Sequence, residues 1–130
     1  MTARTPEDLL ALVEERLNEG DLDGLLDLYE PEAVMVPGQG QPAVEGTMAI
    51  REVLSGYLKL RPTIIINTVS ATRSQDFALL RTHWQLSGID DKGEYVEVAG
   101  DGEVVAHRQP DGTWRVINDK RFGGAGDLGR

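Results

Sequence analysis

The sequence predicts an α+β fold, with three N-terminal helices packed on one face of a strongly curved antiparallel sheet. Two observations predict it. Apolar residues recur at helical spacing as far as Pro62, and from Thr63 onward they alternate or fall in β-branched runs punctuated by turn residues. Helices that precede the strands, rather than interleave with them, argue against a doubly wound parallel sheet. At 130 residues and 40% hydrophobic, the chain is expected to form a single domain over residues 1–123, followed by a flexible glycine-rich tail over 124–130.

The first helix opens at Thr5, placed to cap a first turn that holds Pro6, Glu7 and Asp8, acids that suit the positive end of the helix dipole. Leu9, Leu10, Leu12, Val13 and Leu17 form its apolar stripe, and Gly20 ends it. Asp21 caps a short second helix, with Leu22, Leu25, Leu26, Leu28 and Tyr29 as inward candidates and Pro31 as its close. Residues 33–36 read as a short strand and 37–42 as a loop by composition. Gly46 and Thr47 start a third helix, in which Ile50, Val53, Leu54, Tyr57 and Leu58 share a face, and which runs to about Leu60 before Pro62 stops it. Strands over 63–72, 77–86, 94–109 and 113–122 follow, joined by short turns that imply an antiparallel meander.

Charge is divided unequally along the chain. Of the net −9, residues 1–32 hold −8, ten acids against Arg4 and Arg16, whereas 33–130 are close to neutral. The apolar stripes of the first two helices must face the sheet, so these acids are expected on the outer helical surface, where they favour solubility and repel phosphate backbones. The balance argues against a nucleic-acid partner. No apolar run approaches the roughly 18–20 residues of a membrane span. There is no cysteine, and the N-terminus lacks a basic region leading into an apolar stretch, which together predict a cytoplasmic protein without disulfides.

Several apparent motifs fail their context. Gly124, Gly126 and Gly129 have the spacing G-x-G-x-x-G, but that fingerprint must follow a strand and open a helix, and one residue remains after Gly129. Asp21, Asp23, Asp27 and Glu32 fall at positions matching a calcium loop, yet Leu26 stands where its glycine should be. These read better as a tail and as helix-surface acids. P-loop, metalloprotease and G-x-S-x-G patterns are absent, and His83 and His107 lie on separate strands, so neither a cofactor nor a metal is expected.

Four segments are informative in combination: Asn-Glu-Gly-Asp-Leu-Asp-Gly-Leu at 18–25, Tyr-Glu-Pro-Glu-Ala at 29–33, Glu-Gly-Thr-Met-Ala-Ile-Arg-Glu at 45–52 and Arg-Gln-Pro-Asp-Gly-Thr-Trp-Arg at 108–115. In that order, over about residues 6–123, they resemble the nuclear transport factor 2-like superfamily. This is the cone-shaped, cystatin-like fold of ketosteroid isomerase and the SnoaL-like polyketide cyclases, and the resemblance is to its large bacterial branch of domains of unknown function. The resemblance implies that the helices close one side of a cone with a pocket at its wide end, and that two copies pair as a homodimer through the outer sheet face. In ketosteroid isomerase a tyrosine on the first helix and a protonated aspartic acid on a later strand hold the oxyanion, while another aspartate moves the proton. Overlaying the glycine-containing blocks at 20–24 and 46–47 puts Val13, Pro37 and Val105 at the tyrosine, base and later-acid positions. None transfers a proton, and loss of a general base alone costs on the order of 10² to 10⁴ in rate, so classical ketosteroid isomerase activity is rejected.

The overlay and strand alternation together assign an inward face. It holds Leu80, Thr82 and Trp84 on one strand, Val105 and His107 on the next, and Val116, Asn118, Lys120 and Phe122 on the last. Tyr29, Met35 and Tyr57 join from earlier elements to make a largely apolar ligand cavity with a few polar groups. Asp119, Arg121 and His83 alternate to the other face, the first two as a surface or dimer-interface salt bridge. His107 reads either as an acid or base, with an ordinary pKa of about 6.5, or as a hydrogen-bonded structural histidine. Asn118 reads as a group that orients a ligand carbonyl, and Lys120 as an anion partner or a solvated rim residue; Trp84 and Trp114 read as core packing or ligand platforms. The expected function is binding of a small apolar or aromatic molecule. The alternatives are a cofactor-independent isomerase, cyclase or dehydratase that uses His107, and a protein-partner module.

Overall fold

Helices come first in the chain: Pro6–Glu19 (α1), Leu22–Leu26 (α2) and, after strands Tyr29–Val36 (β1) and Val44–Glu45 (β2), Thr47–Leu58 (α3). Strands Thr63–Ser74 (β3), Phe77–Ile89 (β4), Tyr95–Arg108 (β5) and Trp114–Gly123 (β6) follow. This computed structural model describes residues 2–38 and 40–123, with side chains as far as Arg121. The tail and its glycine spacing lie outside the described residues.

The caps form where the sequence places them. The Thr5 hydroxyl accepts a hydrogen bond from the Asp8 N–H at 3.0 Å, and Gly20 ends α1 in the left-handed conformation, φ +73°. Asp21 caps α2 by accepting from the Gly24 N–H at 2.9 Å, and Asp23 pairs with Arg51 at 3.0 Å, so both acids have structural partners. α2 stops at Leu26, however, and Tyr29 starts a strand instead of lying on the helix. The residue before a proline is pushed toward extended backbone, and Pro31 falls between Tyr29 and Val34, where the β1 register slips and no ladder N–H is required.

The six strands form one curved sheet in the order β2-β1-β6-β5-β4-β3. β3 to β6 make the expected antiparallel meander, but β1 pairs in parallel with β6 and antiparallel with β2. Helices cover the concave face. Leu9, Leu10, Leu12, Val13 and Leu17 of α1 and Ile50 and Leu54 of α3 are buried there against Ala78, Leu80, Thr82, Trp84 and Leu86, the inward alternation of β4. α1 is also tied to the edge strand by hydrogen bonds: the Asn18 amide exchanges two with the Ile64 backbone, at 2.6 and 3.0 Å, and Glu14 accepts from the Ile66 N–H at 2.7 Å. Eight of the ten acids before Ala33 are exposed; the two partly buried ones, Glu14 and Glu30, each have a defined partner.

One irregularity decides what faces the helices. Ala106 pairs with Val116 and Val105 with Asn118, so Ile117 is an extra residue in β6. Such a bulge reverses the alternation of the strand beyond it. Val116 therefore faces inward, and so do Asp119, opposite Val104, and Arg121, opposite Gly102.

Candidate functional site

Between α1, α3 and the concave sheet face lies a cavity of about 40 Å³, room for about three water molecules at ~10–15 Å³ each. Its walls are mostly apolar: Leu10 and Val13 from α1, Ile64 and Ile66 from β3, Trp84 and Leu86 from β4, Val104 from β5 and Val116 from β6. Polar groups enter from Tyr29, Tyr57, Thr82, Asp119 and Arg121. This is the usual composition of a small-molecule site, an apolar body with a few placed polar groups.

Four of those polar groups, all but Thr82, form a chain. The Tyr29 hydroxyl donates to Asp119 Oδ2 at 2.8 Å, and the same oxygen lies 3.6 Å from Arg121 Nη2. Arg121 lies over the Tyr57 ring, 4.7 Å from its centroid, and the Tyr57 hydroxyl donates to the Pro37 carbonyl at 3.0 Å. Burial, followed by the neighbouring Asp119 charge, pushes the Tyr29 phenol well above its ordinary pKa. Burial works against the charge on Arg121, but Tyr57, Asp119 and Tyr29 outweigh it, and the guanidinium holds its proton more tightly than usual. Thr82, 5% exposed, has no hydrogen-bond partner for its hydroxyl among the described residues. Gly102 lies beneath it, where an added Cβ would fall 2.8 Å from Thr82 Oγ1.

Of the residues expected to line the site, Tyr29, Tyr57, Thr82, Trp84 and Val116 border the cavity, and Met35 and Leu80 are fully buried in the core without lining it. Trp84 is packed in the core, 6% exposed, with its indole N–H donating to the Asp101 carbonyl at 3.1 Å, and one side of it borders the cavity. Trp114 is buried away from the cavity, with the Arg73 guanidinium 4.9 Å over its ring. Val105, His107, Asn118 and Lys120 turn to the opposite face. For Asn118 and Lys120 the cause is the β6 bulge; on β5 the inward residues are Val104 and Ala106, one position out of phase with the expectation. The Phe122 side chain lies outside the described residues. Asp119 and Arg121 do pair, but 10% and 11% exposed and at the cavity rather than on the surface.

His107 belongs to a separate outer cluster. Its Nδ1 lies 2.5 Å from Glu30 Oε1, the Gln109 amide donates to the same oxygen at 2.7 Å, and its ring stacks on Phe77 at 4.6 Å. Burial opposes the Glu30 charge, but the hydrogen bonds from Gln109 and His107, with the charges of His107 and Arg115, hold its carboxyl below the ordinary range. His107 is therefore hydrogen-bonded on the outer face and does not line the cavity. Among the described residues, no three His, Asp or Glu side chains converge as metal ligands.

A curved sheet roofed by helices around one small apolar cavity defines the class of pocket-bearing α+β domains. The chain belongs to the SnoaL-like domain family, whose model matches residues 9–120. Solved structures agree on the fold. A ketosteroid isomerase-like protein from Erwinia carotovora atroseptica is 17% identical, with a TM-score of 0.78 over 89% of this chain and 91% of that one. An NTF2-like protein with a cystatin-like fold from Novosphingobium aromaticivorans is 18% identical, with a TM-score of 0.75 over 94% and 83%. An NTF2-like superfamily protein from Salmonella enterica is 15% identical, with a TM-score of 0.78 over 90% and 86%.

Proposed function

We propose that this protein binds a small, largely apolar or aromatic molecule in the cavity between the helices and the concave sheet face. One observation carries the reading: a small, partly open, largely apolar cavity receives two charged side chains, Asp119 and Arg121, and the Thr82 hydroxyl, which is unpaired among the described residues, a lining that suits the polar edge of a ligand whose flat apolar body extends through the opening. A small-molecule library screened by thermal shift and native mass spectrometry tests it. The expected result is a stoichiometric adduct that stabilises the protein and is lost in Val13→Phe, which extends a ring into the cavity. A library of single-ring compounds that yields no stabilising adduct overturns the reading.

A second reading, proton-transfer catalysis on a carbonyl compound, draws on one observation: Asp119 presents a carboxylate to the cavity beside the Arg121 cation, an arrangement in which a base and an oxyanion partner adjoin. The base in this reading is Asp119 and not His107, so Asp119→Asn is expected to abolish turnover of an identified substrate and His107→Ala to preserve it. The reverse pattern overturns it.

We also propose that two copies pair through the outer sheet face. Ile65, Phe77 and Leu79 are 48%, 47% and 36% exposed there, flanked by the Arg81–Glu103 and His83–Asp101 pairs. Light scattering during gel filtration is expected to give a dimer mass for the wild type and a monomer mass for Leu79→Glu; a monomeric wild type overturns the proposal.

A further inference from the structure

Building on the ligand-binding reading, we infer that the cavity selects uncharged ligands that carry a hydrogen-bond acceptor beside a donor, and that Asp119 is the residue that sets this selectivity. A buried arginine on its own makes an anion site, because its planar fork fits a carboxylate. Arg121 has the features of such a site. It is 11% exposed in its side chain, lies over Tyr57, and is held in place because Tyr57 is itself tied to the Pro37 carbonyl. Asp119 changes what that site accepts.

The Asp119 carboxylate lies 3.6 Å from Arg121 and is 10% exposed, so the pair is close to neutral against largely apolar walls. A second carboxylate would leave a net negative charge in a cavity that has no other cation on its wall among the described residues, and an uncompensated buried charge is strongly unfavourable. A neutral ligand avoids that cost and still meets the groups left over. Arg121 has five N–H groups, and with Asp119 beside one nitrogen and a hydrogen bond to Tyr57, others remain to donate to a carbonyl or amide oxygen. The Thr82 hydroxyl is unpaired among the described residues, and Asp119 Oδ1 is clear of the Tyr29 bond, which goes to Oδ2; either accepts from a ligand hydroxyl. Trp84 and Ile64 supply apolar surface for the ring.

Salicylamide and salicylate test this, since they share a ring, a hydroxyl and a shape but differ in charge at neutral pH. Calorimetric titration of the wild-type protein is expected to show salicylamide bound at least about tenfold more tightly than salicylate. In Asp119→Asn, which keeps the shape and removes the negative charge, the order is expected to reverse. Arg121→Gln is expected to weaken salicylamide about tenfold and abolish salicylate binding. A wild-type protein that binds salicylate as tightly as salicylamide, or more tightly, overturns the inference without touching the binding reading. An unchanged order in folded Asp119→Asn overturns the role of Asp119. If neither probe binds the wild type, the inference fails, while the binding reading is decided by the library screen. The wild-type ratio and Arg121→Gln decide the matter even if Asp119→Asn does not fold.

Discussion

Two clusters of similar chemistry lie back to back on the sheet, and they differ chiefly in water. On the concave side Tyr29, Asp119 and Arg121 link β1 to β6; on the outer side Glu30, His107 and Gln109 link β1 to β5 and its following turn. Tyr29 and Glu30 are sequence neighbours sent to opposite faces by strand alternation. Each cluster joins a carboxylate to a basic side chain that stacks on an aromatic ring, Arg121 on Tyr57 and His107 on Phe77. The inner acid and base are 10% and 11% exposed, against 23% and 34% for the outer pair. With less water to screen it, the inner pair is the one whose members depend on each other and whose charge balance constrains a ligand.

Removing Asp119 tests that contrast most severely. Asp119→Ala leaves Arg121 charged in the apolar cavity, and a loss of about 3–5 kcal/mol is expected from the urea midpoint. A loss under about 1 kcal/mol, the range of an exposed pair, would erase the distinction between the two clusters. Tyr29→Phe comes next. It removes the buried donor to Asp119, with an expected cost of about 1.5–3 kcal/mol. It also changes the alkaline limb. The folded state holds the Tyr29 proton more tightly than the unfolded chain, so this contribution is complete below about pH 10 and declines as pH rises toward the folded value. Unfolding followed between pH 9 and 11 should show that decline in the wild type and a smaller one in the variant, where the exposed Tyr95 phenol, raised by its hydrogen bond to Glu97, still contributes.

The bulge at Ile117 is also where sequence and structure part. The order of the three helices and last four strands, the Thr5 and Gly20 caps and the meander are legible, because each rests on local signals: a hydroxyl before a proline, a glycine able to adopt positive φ, turn residues between alternating runs. The inward face of β6 is not. Val116 to Arg121 contains no glycine or proline to mark an extra residue, and the bulge is a property of how β6 pairs with β5. Alternation from Val116 therefore sends Asn118 and Lys120 inward and Asp119 and Arg121 outward, the reverse of what the pairing produces. On β5 the adjacent Val104 and Val105 leave the phase ambiguous by hydrophobicity alone. Gly102 was the available signal: a glycine within a strand marks a close approach, and Thr82 and Arg121 meet there. That approach gives a sharper test, because Gly102→Ala puts a Cβ 2.8 Å from Thr82 Oγ1. Rotation of the threonine should hold the cost near the lower end of ~1–3 kcal/mol, while the narrowed cavity weakens ligand binding. Undiminished binding in that variant would place the ligand elsewhere.

The smallest effect is expected on the outer side. Glu30→Gln keeps an acceptor for His107 and removes a charge that is only partly buried, so the neutral-pH loss should stay below about 1 kcal/mol, with cavity binding unchanged. Its signature is in acid. The Glu30 carboxyl is depressed in the folded state, so the unfolded chain takes up its proton first. The stabilisation is present above the ordinary glutamate value, about pH 4.3, and is lost as pH falls through the lower folded value. Circular dichroism between pH 2.5 and 6 should therefore show a shallower acid limb in Glu30→Gln than in the wild type. The inner cluster thus marks the alkaline limb through Tyr29 and the outer one the acid limb through Glu30. A variant on either face that altered the other limb would show that the two clusters communicate through β1, where Tyr29 and Glu30 share a peptide bond.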